Sequence, residues 1–127
     1  MNLLLDTHTF IWWAEDPTKL SNIALNAIQD KANRLLLSDV SIWEIQIKAQ
    51  LGKIKIGLPL TQLIADQVKN GFEICGITTD HILGLDSLPF HHKDPFDRLL
   101  ISQTIVDGLT FVSKDPAIKP YSVQTLW

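Results

Sequence analysis

The sequence predicts an α/β fold built on a mainly parallel central sheet. Two observations predict it. Short apolar runs of strand length alternate with longer segments whose apolar residues recur at helical spacing. No linker, repeat or low-complexity stretch interrupts that alternation, so residues 1–127 read as a single domain.

Asn2 to Leu5 is the first strand and Asp6 ends it. Thr7 to Ala14 begins a helix, with Phe10, Ile11 and Trp13 available for packing, and Asp16-Pro17 marks a turn. Ser21 caps a second helix running to about Ala32, in which Ile23, Ala24, Ala27 and Ile28 share a face. Leu35, Leu36 and Leu37 form a second buried strand. Ser41 opens a helix that stops near Gly52. Gly57 and Pro59 punctuate the connection to a helix from about Leu60 to Asn70, closed by Gly71. Phe72 to Ile77 is the third strand, Asp80 to Leu85 a short helix, and His91-His92-Lys93 a loop. Pro95 starts a strong helix that ends near Gly108. Leu109 to Val112 is the fourth strand and Tyr121 to Leu126 a short edge strand.

Composition excludes several classes. Hydrophobic residues make up 46% and charged residues 20%, which argues against global disorder. The single cysteine, Cys75, rules out an internal disulfide framework and a cysteine-based zinc cluster. A net charge of −3 leaves no broad basic footprint for nonspecific nucleic-acid binding, although a local basic patch remains open. No run approaches the roughly 18 apolar residues of a membrane span, and Asp6 interrupts the apolar start at once. The expectation is a cytoplasmic protein with no membrane partner.

The acidic residues fall in a pattern. Asp6 follows the first strand and Asp115 the fourth. Glu44 lies in the first turn of the helix after the second strand, and Asp97 in the first turn of the helix that feeds the fourth. In a parallel sheet, strand C-termini and the following helix N-termini share one rim, where ligands bind. Each acid alone has a purely structural reading. Ser41-Ile42-Trp43-Glu44 fits a capping box, Glu44 can pair with Lys48, and Asp94-Pro95-Phe96-Asp97 is a good helix start. Four carboxylates on one rim repel one another, and a bound hard cation removes the conflict. Such a centre can orient a phosphodiester and activate a water nucleophile. The residues alone therefore point to a candidate divalent-metal site.

Four blocks, Leu4-Leu5-Asp6-Thr7-His8 with Trp12-Trp13, Ser41-Ile42-Trp43-Glu44-Ile45, Asp94-Pro95-Phe96-Asp97-Arg98 and Val112-Ser113-Lys114-Asp115, together resemble the PIN-domain family, in particular its VapC-like toxins. The resemblance runs from Leu3 to Trp127. It implies a three-layer α/β/α fold and an endoribonuclease dependent on Mg²⁺ or Mn²⁺, with Asp6, Glu44, Asp97 and Asp115 as the catalytic, metal-holding acids. It also implies Ser113 as a supporting hydroxyl, a toxin–antitoxin pairing and a homodimer. Asp94 reads as the helix cap and a supporting residue.

His8, His81, His91 and His92 lack zinc-ligand spacing and read as loop or surface residues, with His92 or Lys93 as phosphate contacts at best. Lys48, Lys93 and Arg98 are candidate RNA contacts near the rim, alongside a solvated-surface reading. Trp13 and Trp43 are expected in the core, Trp12 exposed as a partner anchor, and Trp127 docked as a tail. Two alternative functions stand beside the nuclease. A noncatalytic PIN-like interaction module would not need four intact acids. A receiver-like signalling domain would need an acidic pair at the first strand end, where Asp6 stands alone.

Overall fold

The computed structural model describes residues 1–127. Five strands, β1 (Asn2–Leu5), β2 (Arg34–Ser38), β3 (Phe72–Cys75), β4 (Thr110–Val112) and β5 (Thr125–Leu126), form one sheet in the order β3-β2-β1-β4-β5. Every pairing is parallel. Six α-helices connect them: α1 (Thr7–Glu15), α2 (Asn22–Gln29), α3 (Asp39–Gln50), α4 (Leu60–Lys69), α5 (Thr79–Leu83) and α6 (Pro95–Asp107).

The three layers follow from the period-2 alternation of β1 and β2. Leu3, Leu5, Leu35 and Leu37 face a core completed by Phe10 and Ile11 of α1, Ala24, Ala27 and Ile28 of α2, Ile45 of α3 and Leu63 of α4. Leu4 and Leu36 face the other side and meet Leu100 and Ile101 of α6, with Phe111, Leu88, Ile118 and Tyr121. Because both faces are covered, the strands read as unbroken leucine runs.

The strand order places the functional end of the sheet. From β1 the chain first winds outward through β2 to β3, then returns to add β4 on the opposite side of β1. The winding therefore reverses between β1 and β4, and their C-terminal ends open a crevice there. Asp6 and Ser113 are the first residues beyond those two strands.

Several local expectations are corrected. Helix α3 starts at Asp39 with Ser38 as its cap, the Ser38 hydroxyl accepting from Val40 N at 3.1 Å. Strand β2 thus runs straight into α3, Ser41 lies buried inside the helix, and the Ser41–Glu44 capping box does not form. Trp43 is 57% exposed, because the opposite side of α3 carries Val40, Ser41, Glu44 and Ile45 inward. Trp13 is half-buried, with its indole N–H donating to Gln67 Oε1 at 2.9 Å. The edge strand shrinks to Thr125–Leu126.

The start and end of α6 are as expected. Asp94 caps it by accepting from Phe96 N and Asp97 N, Pro95 occupies the first turn, and Gly108 takes φ +65° at its end. Gly84 is required by a close approach. A Cβ there would lie 2.6 Å from Ser102 Oγ, on the buried side of α6.

Candidate active site

A cavity of about 390 Å³ opens at the β1/β4 crevice. It is lined by the carboxylates of Asp6, Glu44, Asp94, Asp97 and Asp115, with His8, Thr9, Trp12, Lys48, Lys114 and Pro116. Asp6, Glu44, Asp97 and Asp115 arrive from four separate segments: the end of β1, the second turn of α3, the first turn of α6 and the turn after β4.

Asp6 and Glu44 form a deep wall. Asp6 is 7% exposed and Glu44 2%. Asp6 Oδ1 accepts from Thr7 N at 2.7 Å and Oδ2 from Ser113 Oγ at 2.7 Å. Ser113 Oγ in turn accepts from Asp115 N at 3.1 Å, so one hydroxyl ties the two strand-end acids together. Thr7 Oγ1 donates to Glu44 Oε1 at 2.7 Å and lies 3.0 Å from Ser41 Oγ. Lys48, one turn further along α3, is ion-paired to Glu44 Oε2. Burial pushes the Asp6 pKa up. The bonds from Ser113 and Thr7 offset this only in part.

Asp97 and Asp115 form a shallower wall, and both are partly accessible. Asp115 Oδ1 accepts from Ala117 N at 2.9 Å, capping the turn Pro116–Ile118. Asp97 Oδ2 lies 2.7 Å from His92 Nε2. One ligating atom from each of His92, Asp97 and Asp115 lies within 4.8 Å of the others. The Asp97 carboxyl is pushed up from 3.8 to about 7, first by burial and then by the charges of Asp6 and Asp94. Burial works against the charge on Lys48, but its bond to Glu44 and the nearby acids raise its pKa overall.

Five carboxylates therefore share a cavity with two lysines, and burial together with the charges of Asp6 and Asp94 disfavours the ionised form of Asp97. A hard oxygen set with surplus negative charge fits a divalent cation such as Mg²⁺ or Mn²⁺.

The remaining residues sort by position. Asp94 both caps α6 and lines the cavity. Lys93 is exposed on the adjoining loop. Arg98 does not reach the rim. It is 6% exposed, and its guanidinium donates to Pro89 O at 2.8 Å and Leu88 O at 3.2 Å, so an RNA contact by Arg98 does not fit its burial. Trp12 is half-buried rather than exposed. It lines the cavity, packs edge-on against Trp127 and carries Lys114 Nζ 5.8 Å from its ring centre. Trp43 stacks edge-on with Phe96 at 5.1 Å, outside the cavity lining. Sequence reasoning missed Thr7 and underrated His92. Their only signals were adjacency to Asp6 and to the Asp94–Asp97 block.

The PIN domain family model matches residues 3–122. The chain is similar to Ribonuclease VapC22 of Mycobacterium tuberculosis (strain ATCC 25618 / H37Rv), with 29% identity over 120 residues, 94% of this chain and 91% of the relative. Two solved structures share its fold. One is VapBC2 from Rickettsia felis bound to a DNA fragment from its promoter, with TM-score 0.75, 16% identity, and 98% of this chain and 97% of the other covered. The second is VapBC-1 from nontypeable Haemophilus influenzae, with TM-score 0.62, 13% identity, and 98% and 96% covered. With the family match spanning nearly the whole chain, over a parallel sheet that gathers its acids at the β1/β4 crevice, the protein belongs to the PIN-domain family.

Proposed function

We propose that the chain is a Mg²⁺- or Mn²⁺-dependent endoribonuclease and the toxin of a toxin–antitoxin pair. The observation that carries this reading is the convergence of Asp6, Glu44, Asp97 and Asp115 on one cavity. The similarity to a named ribonuclease supports RNA as substrate, and the two VapBC neighbours support an antitoxin partner. A homodimer and a cytoplasmic site of action belong to the same proposal. No helix is long and apolar enough to cross a membrane.

Asp6, Glu44, Asp97 and Asp115 would hold the cation, which when bound supplies water activation and charge neutralisation at the scissile phosphate. Ser113 and Thr7 keep Asp6 in one orientation, and Thr7 and Lys48 do the same for Glu44. Lys48 and Lys114 bring positive charge to a cavity that would otherwise repel a polyanion, and Lys93 extends it outward.

The test is incubation of the purified protein with total RNA and Mg²⁺ or Mn²⁺, with and without EDTA, followed by end-group analysis. The reading expects 5′-phosphate and 3′-hydroxyl ends that disappear in EDTA. Cyclic 2′,3′-phosphate ends formed in EDTA would show attack by the RNA 2′-hydroxyl and overturn it.

A further inference from the structure

The geometry points to His92 as a positioning residue, which orients Asp97 toward the cation by donating a hydrogen bond and is not itself a ligand. This rests on the proposed cation centre but not on cleavage of RNA.

His92 lies close enough to Asp97 and Asp115 to be mistaken for a third ligand. Its two ring nitrogens decide otherwise. Nδ1 faces the backbone N–H of Lys93 at 3.0 Å, with Asp94 N–H at 3.5 Å on the same side. A ring nitrogen that receives an N–H is bare, so in the neutral imidazole the proton sits on Nε2. Nε2 faces Asp97 Oδ2 at 2.7 Å and so donates to it. A protonated Nε2 has no lone pair to offer a cation. His92 therefore acts through Asp97, fixing one carboxylate oxygen and leaving Oδ1 free for ligation.

The loop that carries His92 is anchored for this purpose. His92 N donates to Tyr121 OH at 2.8 Å. Arg98 reaches back from α6 to the carbonyls of Leu88 and Pro89, and both Arg98 and Tyr121 are buried. Arg98 neighbours Asp97 in sequence, so the turn of α6 that presents the carboxylate also holds the loop that orients it. The burial of a guanidinium bonded to carbonyls is thereby explained.

Two measurements on the full chain, both without RNA, test the assignment. In the metal-free protein, imidazole ¹⁵N shifts read the tautomer directly. The Nε2–H form is expected for His92, and the Nδ1–H form overturns the proposal. Mn²⁺ affinity, from the paramagnetic signal of free Mn²⁺, and Mg²⁺ affinity, by competition, are then compared in His92→Ala, His92→Gln and Tyr121→Phe. His92→Ala should weaken both cations alike by about 10–100-fold. His92→Gln, whose amide can donate from the same place, should recover most of that loss. Tyr121→Phe should show a smaller loss, again equal for both cations. Unchanged affinity in His92→Ala overturns the proposal. So does a loss confined to Mn²⁺ with no rescue by Gln, the signature of a nitrogen ligand. If His92→Ala fails to fold, the tautomer and the Gln and Tyr121→Phe variants still decide. Cation binding without RNA cleavage would sink the nuclease reading and leave this one standing. A wild type that binds neither cation would overturn both.

Discussion

The two walls of the cavity are built differently. Asp6 and Glu44 sit where β1 and α3 meet the core, nearly inaccessible, with donors from Thr7, Ser113 and Lys48 already in place. Asp97 and Asp115 stand on a helix start and a short turn, more open, and Asp97 is bonded on one side by a histidine from a loop. The comparison teaches that this rim is prepared unequally. The deep wall is buried and largely hydrogen-bonded, whereas Asp97 on the shallow wall has one histidine partner against its partial burial and the charges of Asp6 and Asp94, and its pKa is pushed up to about 7. A cation would complete the second wall more than the first.

The largest expected effect is on turnover, and it tests whether the walls act together. Asp6→Asn on one side and Asp115→Asn on the other should each reduce cleavage by on the order of 10³-fold, the loss of several kcal/mol of charge stabilisation. Circular dichroism should show both variants folded. Retention of near-normal rates by one of them would mean that a single wall suffices.

Ser113→Ala sharpens the contrast from the deep side. It removes the donor to Asp6 Oδ2 and the acceptor for Asp115 N while leaving all four acids in place. Cation affinity and rate should fall by about 10–100-fold. Denaturant melts should show a loss of about 1–2 kcal/mol from the broken buried bonds.

The shallow wall should reveal itself through pH. Asp97 titrates near 3.8 when unfolded and near 7 when folded, so the folded state binds the proton more tightly. Its contribution to stability is therefore fully present below about pH 4 and is lost as pH rises through 7. Urea melts in EDTA should show stability declining from pH 5 to pH 8, with a shallower decline in Asp97→Asn. Added Mg²⁺ should restore stability most at pH 8. A slope unchanged by Asp97→Asn would assign the charge conflict to another group.

The smallest effect separates Asp94 from its neighbours. Asp94→Ser keeps an N-cap acceptor for Phe96 N and Asp97 N and should leave thermal stability almost unchanged, whereas Asp94→Ala should cost about 0.5–2 kcal/mol. Cation affinity in the serine variant shows whether the Asp94 carboxylate contributes beyond capping.

Much of this architecture was legible because strand ends are marked by chemistry as well as by hydropathy. Leu3–Leu5 stops at Asp6, and the run through Phe111 and Val112 stops at Ser113, so the rim residues announce themselves by interrupting apolar runs. The start of α6 was legible because Asp94-Pro95 is a strong local signal. The start of α3 was not. Ser38 and Ser41 are both plausible caps, and only the direct passage of β2 into the helix selects Ser38. That ambiguity is what left a capping role open for Glu44 beside its place among the metal-holding acids, and the helix turns its carboxylate into the cavity. Arg98 misled for a related reason. A cation beside a rim acid looks like a substrate contact until the fold shows its guanidinium bonded to the carbonyls of Leu88 and Pro89. His92 depends on a bond between a loop and a helix start, which no short-range pattern encodes.

The central claim is that the two walls make one cation centre. Calorimetric titration of the full chain with Mn²⁺, without RNA, tests it most directly when done on the wild type, Glu44→Gln and Asp97→Asn. The account predicts one saturable binding event in the wild type, strongly weakened by either substitution. Binding that survives unchanged when one wall is altered, and vanishes when the other is, would contradict it.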